Sequence, residues 1–453
     1  MLRTIAFCFF LLLPIAVLGQ SQVAVQPITT SGVSAVLSLD QAIQIALRHN
    51  RLVRNDELEV EKAAERVEIA RTRRRPQFDL DFLGLQTITP VEFRFDSGSL
   101  GTLPGGNPFP MQDTRIRSPR HPNALLTARV TQSLTQLPRI NLGVRMQEAN
   151  RELAETKLES QRRVIANQVK RSYYAVLQTE SALNAIEESL KLRRELDRVV
   201  GEYVVQKVAL TSDSLDVKTS LANDEYEATK LRNAMAAQKE QLNLLLGRDV
   251  SMEFSTSPVP ENALYEFDLN AARERAIAQR GEIKEALLKR KQAEYTRRIK
   301  KSESLPEVSL TAGYFSSLGF AVLPVNVAAV GVSVKWEPFD WGRKKRELAE
   351  TRKTIEQADN TLREAEAQVV LDVNARFRKL EEARALLRVT LAAQAAAQEK
   401  LRVATNKFKF EAALFKDVLQ TQAGIAEANH QHQQALLIFL TARADFEKAI
   451  GGE

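Results

Sequence analysis

Side chains able to do covalent chemistry are scarce in this chain of 453 residues, which has a single cysteine, Cys8, and four histidines. No Ser/His/Asp grouping, glycine-rich phosphate loop or Cys/His metal spacing is visible. His430-x-His432 lies two apart, so on a helix the rings point to different sides and make no ligand pair. What the sequence does contain is clustered charge and aromaticity. Asp213, Asp216 and Asp417 stand near chain reversals, Arg71-Thr72-Arg73-Arg74-Arg75 precedes a proline, and Trp336, Phe339 and Trp341 lie close together. Such groups set local potentials and mark apolar boundaries without breaking bonds. The residues therefore call for no enzyme, cofactor or metal, and attention passes to the elements that carry the charge.

Residues 1–19 read as a secretory signal, with Arg3, an apolar run from Ile5 to Leu13, and small residues around Val17 and Gly19. A cut after Gly19 removes the only thiol and leaves no cysteine there for a lipid anchor. No later stretch reaches the roughly 18 apolar residues of a spanning helix. Export, interleaved charges summing to +7 and only 6% aromatic residues weigh against nucleic acid as a partner.

No proline occurs between Pro138 and Pro258, or after Pro338. These gaps are rich in Ala, Glu, Leu, Arg and Gln and predict long helices. Val169, Tyr173, Val176, Leu183, Ile186 and Leu190 follow heptad-like steps, the pattern of helices packed side by side as coiled coils. Shorter helices are expected at 38–75, opened by a Ser38-x-x-Gln41 capping box, and at 268–304, opened by Asp268.

The chain repeats itself. An offset of 230 places Leu39-Asp40-Gln41-Ala42 on Leu269-Asn270-Ala271-Ala272 and Ala46 on Ala276. An offset of 204 places Val169 on Val373, Tyr173 on Phe377, Val176 on Leu380 and Gly247 on Gly451. The offset changes between Pro76 and Val130, where the first copy carries a long turn-rich loop. The expected organisation is a leader at 1–19, an N-terminal extension at 20–37, a first copy at 38–250, a linker at 251–267 and a second copy at 268–453.

Four segments, about 77–87, 124–134, 306–316 and 328–338, alternate with period two, as Phe78, Leu80 and Phe82 do against Gln77, Asp79 and Asp81. Each has the length of a tilted membrane strand. Four strands cannot close a barrel, and open edges are not tolerated in lipid, so several chains must contribute. A long helix of some 110 Å, returning along two stacked shorter ones, gives a rod capped by strands.

With these features in order, the sequence resembles the outer-membrane efflux protein family, the TolC-like channel-tunnels. The resemblance rests on Leu39-Asp40-Gln41-Ala42-Ile43 with Ala46 and Leu47, on Arg75-Pro76 and Leu305-Pro306 before strands, and on Trp336-Glu337-Pro338-Phe339-Asp340-Trp341-Gly342-Arg343 where strand becomes helix. It implies a mainly α fold with a small membrane β-barrel: a homotrimer whose chains each give four strands to a 12-stranded barrel above a helical tunnel. It also implies contact with outer-membrane lipid, with a periplasmic adaptor (membrane-fusion) protein and with an inner-membrane pump.

The helical turns far from the strands are where such a duct must close and meet its adaptor. Val208, Ala209, Leu210 and Thr211 in the first copy, and Ala412, Ala413 and Leu414 in the second, are the candidate adaptor seats. Asp213, Asp216 and Asp417 are gate candidates that would concentrate cations, and each is equally suited to capping a helix start. The family's inner gate carries two aspartates one turn apart; Asp417 matches the first, and Gln420 occupies the second position. The tyrosine and arginine that lock relatives' gates fall on Phe408 and Ala413, so that polar latch is not expected. Trp336 and Trp341, with Arg73, Arg74 and Arg75, are candidates for the membrane interface. The rival reading is a periplasm-spanning tether that encloses no pore.

Overall fold

A computed structural model describes residues 35–86, 88–89, 92–117, 122–207, 210–258, 267–319, 325–410 and 415–452. The expected leader, most of the N-terminal extension, and the adaptor candidates Val208, Ala209, Ala412, Ala413 and Leu414 lie outside the described residues.

After β1 (Ala35–Leu37), at the end of the expected N-terminal extension, come α1 (Leu39–His49), α2 (Arg51–Thr72), β2 (Gln77–Gln86), β3 (Glu92–Phe95), β4 (Thr114–Arg117), β5 (Pro122–Ser133), α3 (Leu137–Val205) and α4 (Thr211–Leu246) in the span expected for the first copy. β6 (Phe254–Thr256) lies in the expected linker, and α5 (Leu269–Gln279), α6 (Gly281–Ser302), β7 (Glu307–Leu318), β8 (Asn326–Lys335), α7 (Arg343–Lys409) and α8 (Phe415–Ala449) follow in the span expected for the second copy. The β3–β4 hairpin is the first copy's extra loop. At 1.5 Å per residue the 69 residues of α3 span about 100 Å.

The segments expected as single helices at 38–75 and 268–304 are each broken once, at Asn50 and at Arg280, both extended in ψ. Asn50 ends α1 and begins α2, its Oδ1 accepting the N–H groups of Leu52 at 2.8 Å and Val53 at 3.4 Å. Its amide donates at 2.8 Å to the carbonyl of Leu245 near the end of α4. Arg280, the equivalent position, donates at 3.1 Å to the carbonyl of Ala449, which is the equivalent of Leu245. The breaks are thus set by contacts between helices. Neither Asn50 nor Arg280 is a glycine or proline that would announce one.

The core is a collar around these breaks. Ile165, Val169 and Tyr173 of α3 meet Leu242 and Leu246 of α4, Val369, Val373 and Leu380 of α7, and Phe446 of α8, all essentially inaccessible to solvent. Ala42, Ala46, Ala272 and Ala276 let the short helices come close, because a methyl group is the largest side chain they present. Gly247 and Gly451 end α4 and the α8 region with φ of 71° and 80°, a region where a side chain is strained.

One element of the collar has no periodicity to betray it. β1 pairs in parallel with β6, Ala35 opposite Phe254 and Leu37 opposite Thr256. The Tyr173 hydroxyl lies 2.8 Å from the carbonyls of both Leu37 and Ser257 and accepts the N–H of Ser257 at 3.0 Å. Away from the collar, toward the tips, buried packing thins to Leu183, Leu190 and Ala228 with a few half-buried neighbours.

Candidate functional site

The four long strands form one antiparallel sheet in the order β2-β5-β7-β8, so β2 and β8 are its edges. In register, Phe78 faces Val130, Val130 faces Ala312, and Ala312 faces Val330, with Leu80, Leu310, Val332 and Val334 on the same side. This face is apolar yet bare in the single chain, with Phe78 77% and Val330 76% exposed. A continuous apolar face on a sheet with open edges suits lipid and further strands rather than water.

The opposite face is polar. Asp79 lies directly across from Arg129, Gln77 from Thr131 and Thr131 from Thr311, with Ser309 opposite Ser333 and Glu307 opposite Lys335. Opposite charges at facing positions support the register as well as line the surface. The alternation that reveals each strand sets its polar residues on one side, but the row they form across the sheet joins residues up to hundreds of positions apart and so is no cluster in sequence.

Where strands become helices, Thr135 fastens the corner. Its hydroxyl donates to the Pro306 carbonyl and accepts the Val308 N–H, both at 2.8 Å. Arg139 of α3 pairs with Glu307 of β7 at 2.7 Å, joining the two copies. After β8, Trp336 is exposed and Trp341 is 90% exposed, with φ of 55° and its ring edge-on to Phe339 at 4.8 Å. Asp340 holds this turn by accepting the N–H groups of Gly342 and Lys344, each at 3.0 Å. The bond from the Lys344 N–H is the chief reason its carboxyl titrates below the usual carboxylate range.

Arg73, Arg74 and Arg75 form the turn between α2 and β2. The N–H groups of Arg74 and Arg75 donate to the carbonyls of Arg71 and Thr72, and the Arg74 carbonyl accepts from Gln132. The turn separates the three side chains: Arg73 and Arg75 line a cavity of about 560 Å³ together with Arg66 and Arg139, whereas Arg74 does not.

At the far end, Leu210 precedes α4 and is exposed, as are Thr211 and Leu215. Asp213 accepts the Leu210 backbone N–H at 3.0 Å, a reach back to the helix start that makes it a cap. Asp216 follows within the next turn, exposed. Asp417 lies in the first turn of α8, where negative charge is favoured by the helix dipole, and Gln420 follows one turn later. Val205 and Phe410, each 83% exposed, add bare apolar surface at the two reversals.

The model of the family described as outer membrane efflux protein matches residues 42–248 and 272–452. The chain belongs to the outer membrane efflux protein family. Its function is that of an outer-membrane efflux channel of the TolC-like type, a transport protein and not an enzyme. Among solved structures similar to it are the CmeC outer membrane channel of Campylobacter jejuni, at 14% identity and TM-score 0.73, covering 91% of this chain and 85% of that one. The open state of the MtrE outer membrane channel of Neisseria gonorrhoeae is similar at 18% identity and TM-score 0.67, covering 94% and 93%. CusC, whose structures concern folding and transmembrane channel formation, is similar at 15% identity and TM-score 0.71, covering 92% of each chain. No functionally curated protein matches the chain.

Proposed function

We propose that three copies of this efflux-family chain join edge to edge into a 12-stranded barrel, continuous with a helical tunnel across the periplasm, and form a passive exit duct. The observation that carries this reading is the four-stranded sheet whose edges, β2 and β8, have no further strand partner among the described residues and whose apolar face is bare. Lipid would cover that face, with Trp336 and Trp341 at its lower border and the polar row of Asp79, Arg129 and Thr131 turned to the lumen. The tips would meet a periplasmic adaptor, and through it an inner-membrane pump, using Leu210, Thr211 and the reversals around 208–209 and 412–414. Asp213, Asp216 and Asp417 would ring the narrow end with negative charge, with Gln420 beside them.

The test is the mass of the detergent-solubilised protein together with its conductance in planar bilayers. A trimer that conducts, at least when the gate residues are altered, supports the duct. A trimer that stays closed with its adaptor and in every gate variant is the tether, and a monomer soluble without detergent ends both readings. For the gate, Asp213→Asn keeps the cap acceptor and removes the charge. Combined with Asp216→Ala and Asp417→Ala it is expected to raise conductance or reduce cation preference severalfold, and unchanged ion selectivity would take these residues out of that role.

A further inference from the structure

The cavity at the foot of the sheet is lined by Arg66 of α2, Arg73 and Arg75 from the turn, Arg139 from α3, and Gln77 and Thr131 from the strands, with Ile69, Ile140 and Ile299 completing its wall. Gln77 and Thr131 face each other on the polar side of the sheet, opposite Phe78 and Val130. The cavity therefore opens on the side that carries Asp79 and Arg129, away from the apolar face.

Its charge is not balanced. Arg66 pairs with Glu59 at 3.0 Å and Arg139 with Glu307 at 2.7 Å. The one carboxylate on its wall, Glu303, is held by Lys300 at 3.1 Å. Among the described residues no ion pair engages Arg73 or Arg75. A helix C-terminus favours cations, but that need is met in the first copy by Arg71 and in the second by Lys300 and Lys301. At the second copy's equivalent corner, Glu303, Ser304 and Leu305 stand where the first has Arg73, Arg74 and Arg75. Both corners carry basic residues at the helix end, but only the first has arginines in the turn itself, and there Arg73 and Arg75 line a recess that also holds amide and hydroxyl groups.

We infer that this recess binds multiply charged anionic groups, phosphate esters foremost, of solutes passing along the lumen. The inference rests on the trimeric duct proposed above and deepens it. Two uncompensated guanidiniums per chain, repeated around the axis, put a positive belt at the base of the barrel, while the aspartates put a negative one at the tips. Guanidinium is the side chain best shaped to grip phosphate oxygens in pairs, and the focused field of a narrow lumen strengthens the attraction.

Inositol hexakisphosphate serves as the probe, applied to the full-length protein in planar bilayers and, in parallel, by calorimetry to the detergent-solubilised form. It is expected to block the current and to bind. In the double variant Arg73→Gln/Arg75→Gln the half-blocking concentration should rise about tenfold and relative anion permeability should fall. Arg73→Lys/Arg75→Lys should keep most of the block, and Arg74→Gln, outside the recess, all of it. Equal block and binding in the wild type and the glutamine double variant overturns the inference. If block disappears in bilayers containing phosphatidylglycerol, and phospholipid copurifies with the wild type but not with the double variant, the recess holds lipid headgroups and the lumenal reading is overturned. Absence of conductance is a failure of the duct alone, since calorimetry still decides whether the recess binds the probe.

Discussion

The two copies solve one mechanical problem with different chemistry. Each must break a helix against the end of a long hairpin, and each does so by sending a donor to the same carbonyl position, Leu245 in the first copy and Ala449 in the second. In the first, the neutral amide of Asn50 suffices, because its oxygen also caps α2. In the second, Arg280 cannot cap. Instead it is surrounded by Asp372 at 2.9 Å and Glu282 at 2.6 Å, and Asp372 is shared with Arg376 at 3.2 Å. The two corners share the place where a donor is needed, and the donor is charged where acidic neighbours are in reach.

The neighbouring glycines differ in a way that should give the largest contrast. A Cβ on Gly247 would sit 2.2 Å from the carbonyl oxygen of His49, whereas one on Gly451 would meet the Cβ of Gln279 at 2.8 Å. Gly247→Ala combines left-handed strain with a collision against backbone and should cost about 3 kcal/mol. Gly451→Ala meets a Cβ that moves only with its backbone, but at the longer distance of 2.8 Å, and should cost about half as much. Urea unfolding followed by circular dichroism in detergent measures both, and equal costs would mean that the collar yields as readily in the first copy as in the second.

Removing the donors comes next in size. Arg280→Ala strips a largely buried guanidinium from two carboxylates and should cost about 2–3 kcal/mol. Asn50→Ala loses a cap and a bond to Leu245 and should cost about 1–2 kcal/mol. The same urea titration ranks them, and the reverse order would show that capping matters more than the charged cluster.

Acid should separate the copies by the smallest margin. Burial alone would raise the pKa of Asp372, but hydrogen bonds and charge from Arg280 and Arg376 outweigh it and hold the carboxyl below its usual value. Glu282 is likewise raised by burial and lowered further by Arg280. Carboxyls whose pKa falls on folding stabilise the protein fully above the unfolded values, about pH 4, and lose that contribution as pH drops through the lowered folded values. Between about pH 4 and 2, amide exchange should therefore quicken at the start of α6 before it does at the start of α2. Simultaneous loosening would place the acid-sensitive groups elsewhere.

Much of this architecture is legible in the residues. Period-two alternation marks the strands, whereas the pairing of Asp79 with Arg129 needs the register of the sheet. Proline-free stretches mark the long helices, and the offset self-alignment marks the duplication. The breaks at Asn50 and Arg280 are only faintly legible: Asn50 is a favoured N-cap and Gly281 follows Arg280, but no proline interrupts either stretch, and the partners that fix the bend lie some 170 to 195 residues away. β1 and β6 are too short to show a period, and their pairing depends on Tyr173, far from both in sequence. At the site, Asp213 is readable as a helix-start residue. The separation of Arg73 and Arg75 from Arg74 is not, because it depends on the dihedral angles of a turn.

The pairing of β1 with β6 bears on how the molecule is made. Residues 35–37 have their strand partner only once residues 254–256 exist. An emerging chain therefore keeps its leading edge undocked until more than half of it has been synthesised, and long-range closure of this kind is slow. That pairing is consequently a late event in maturation, a latch closed by the segment that follows the first hairpin.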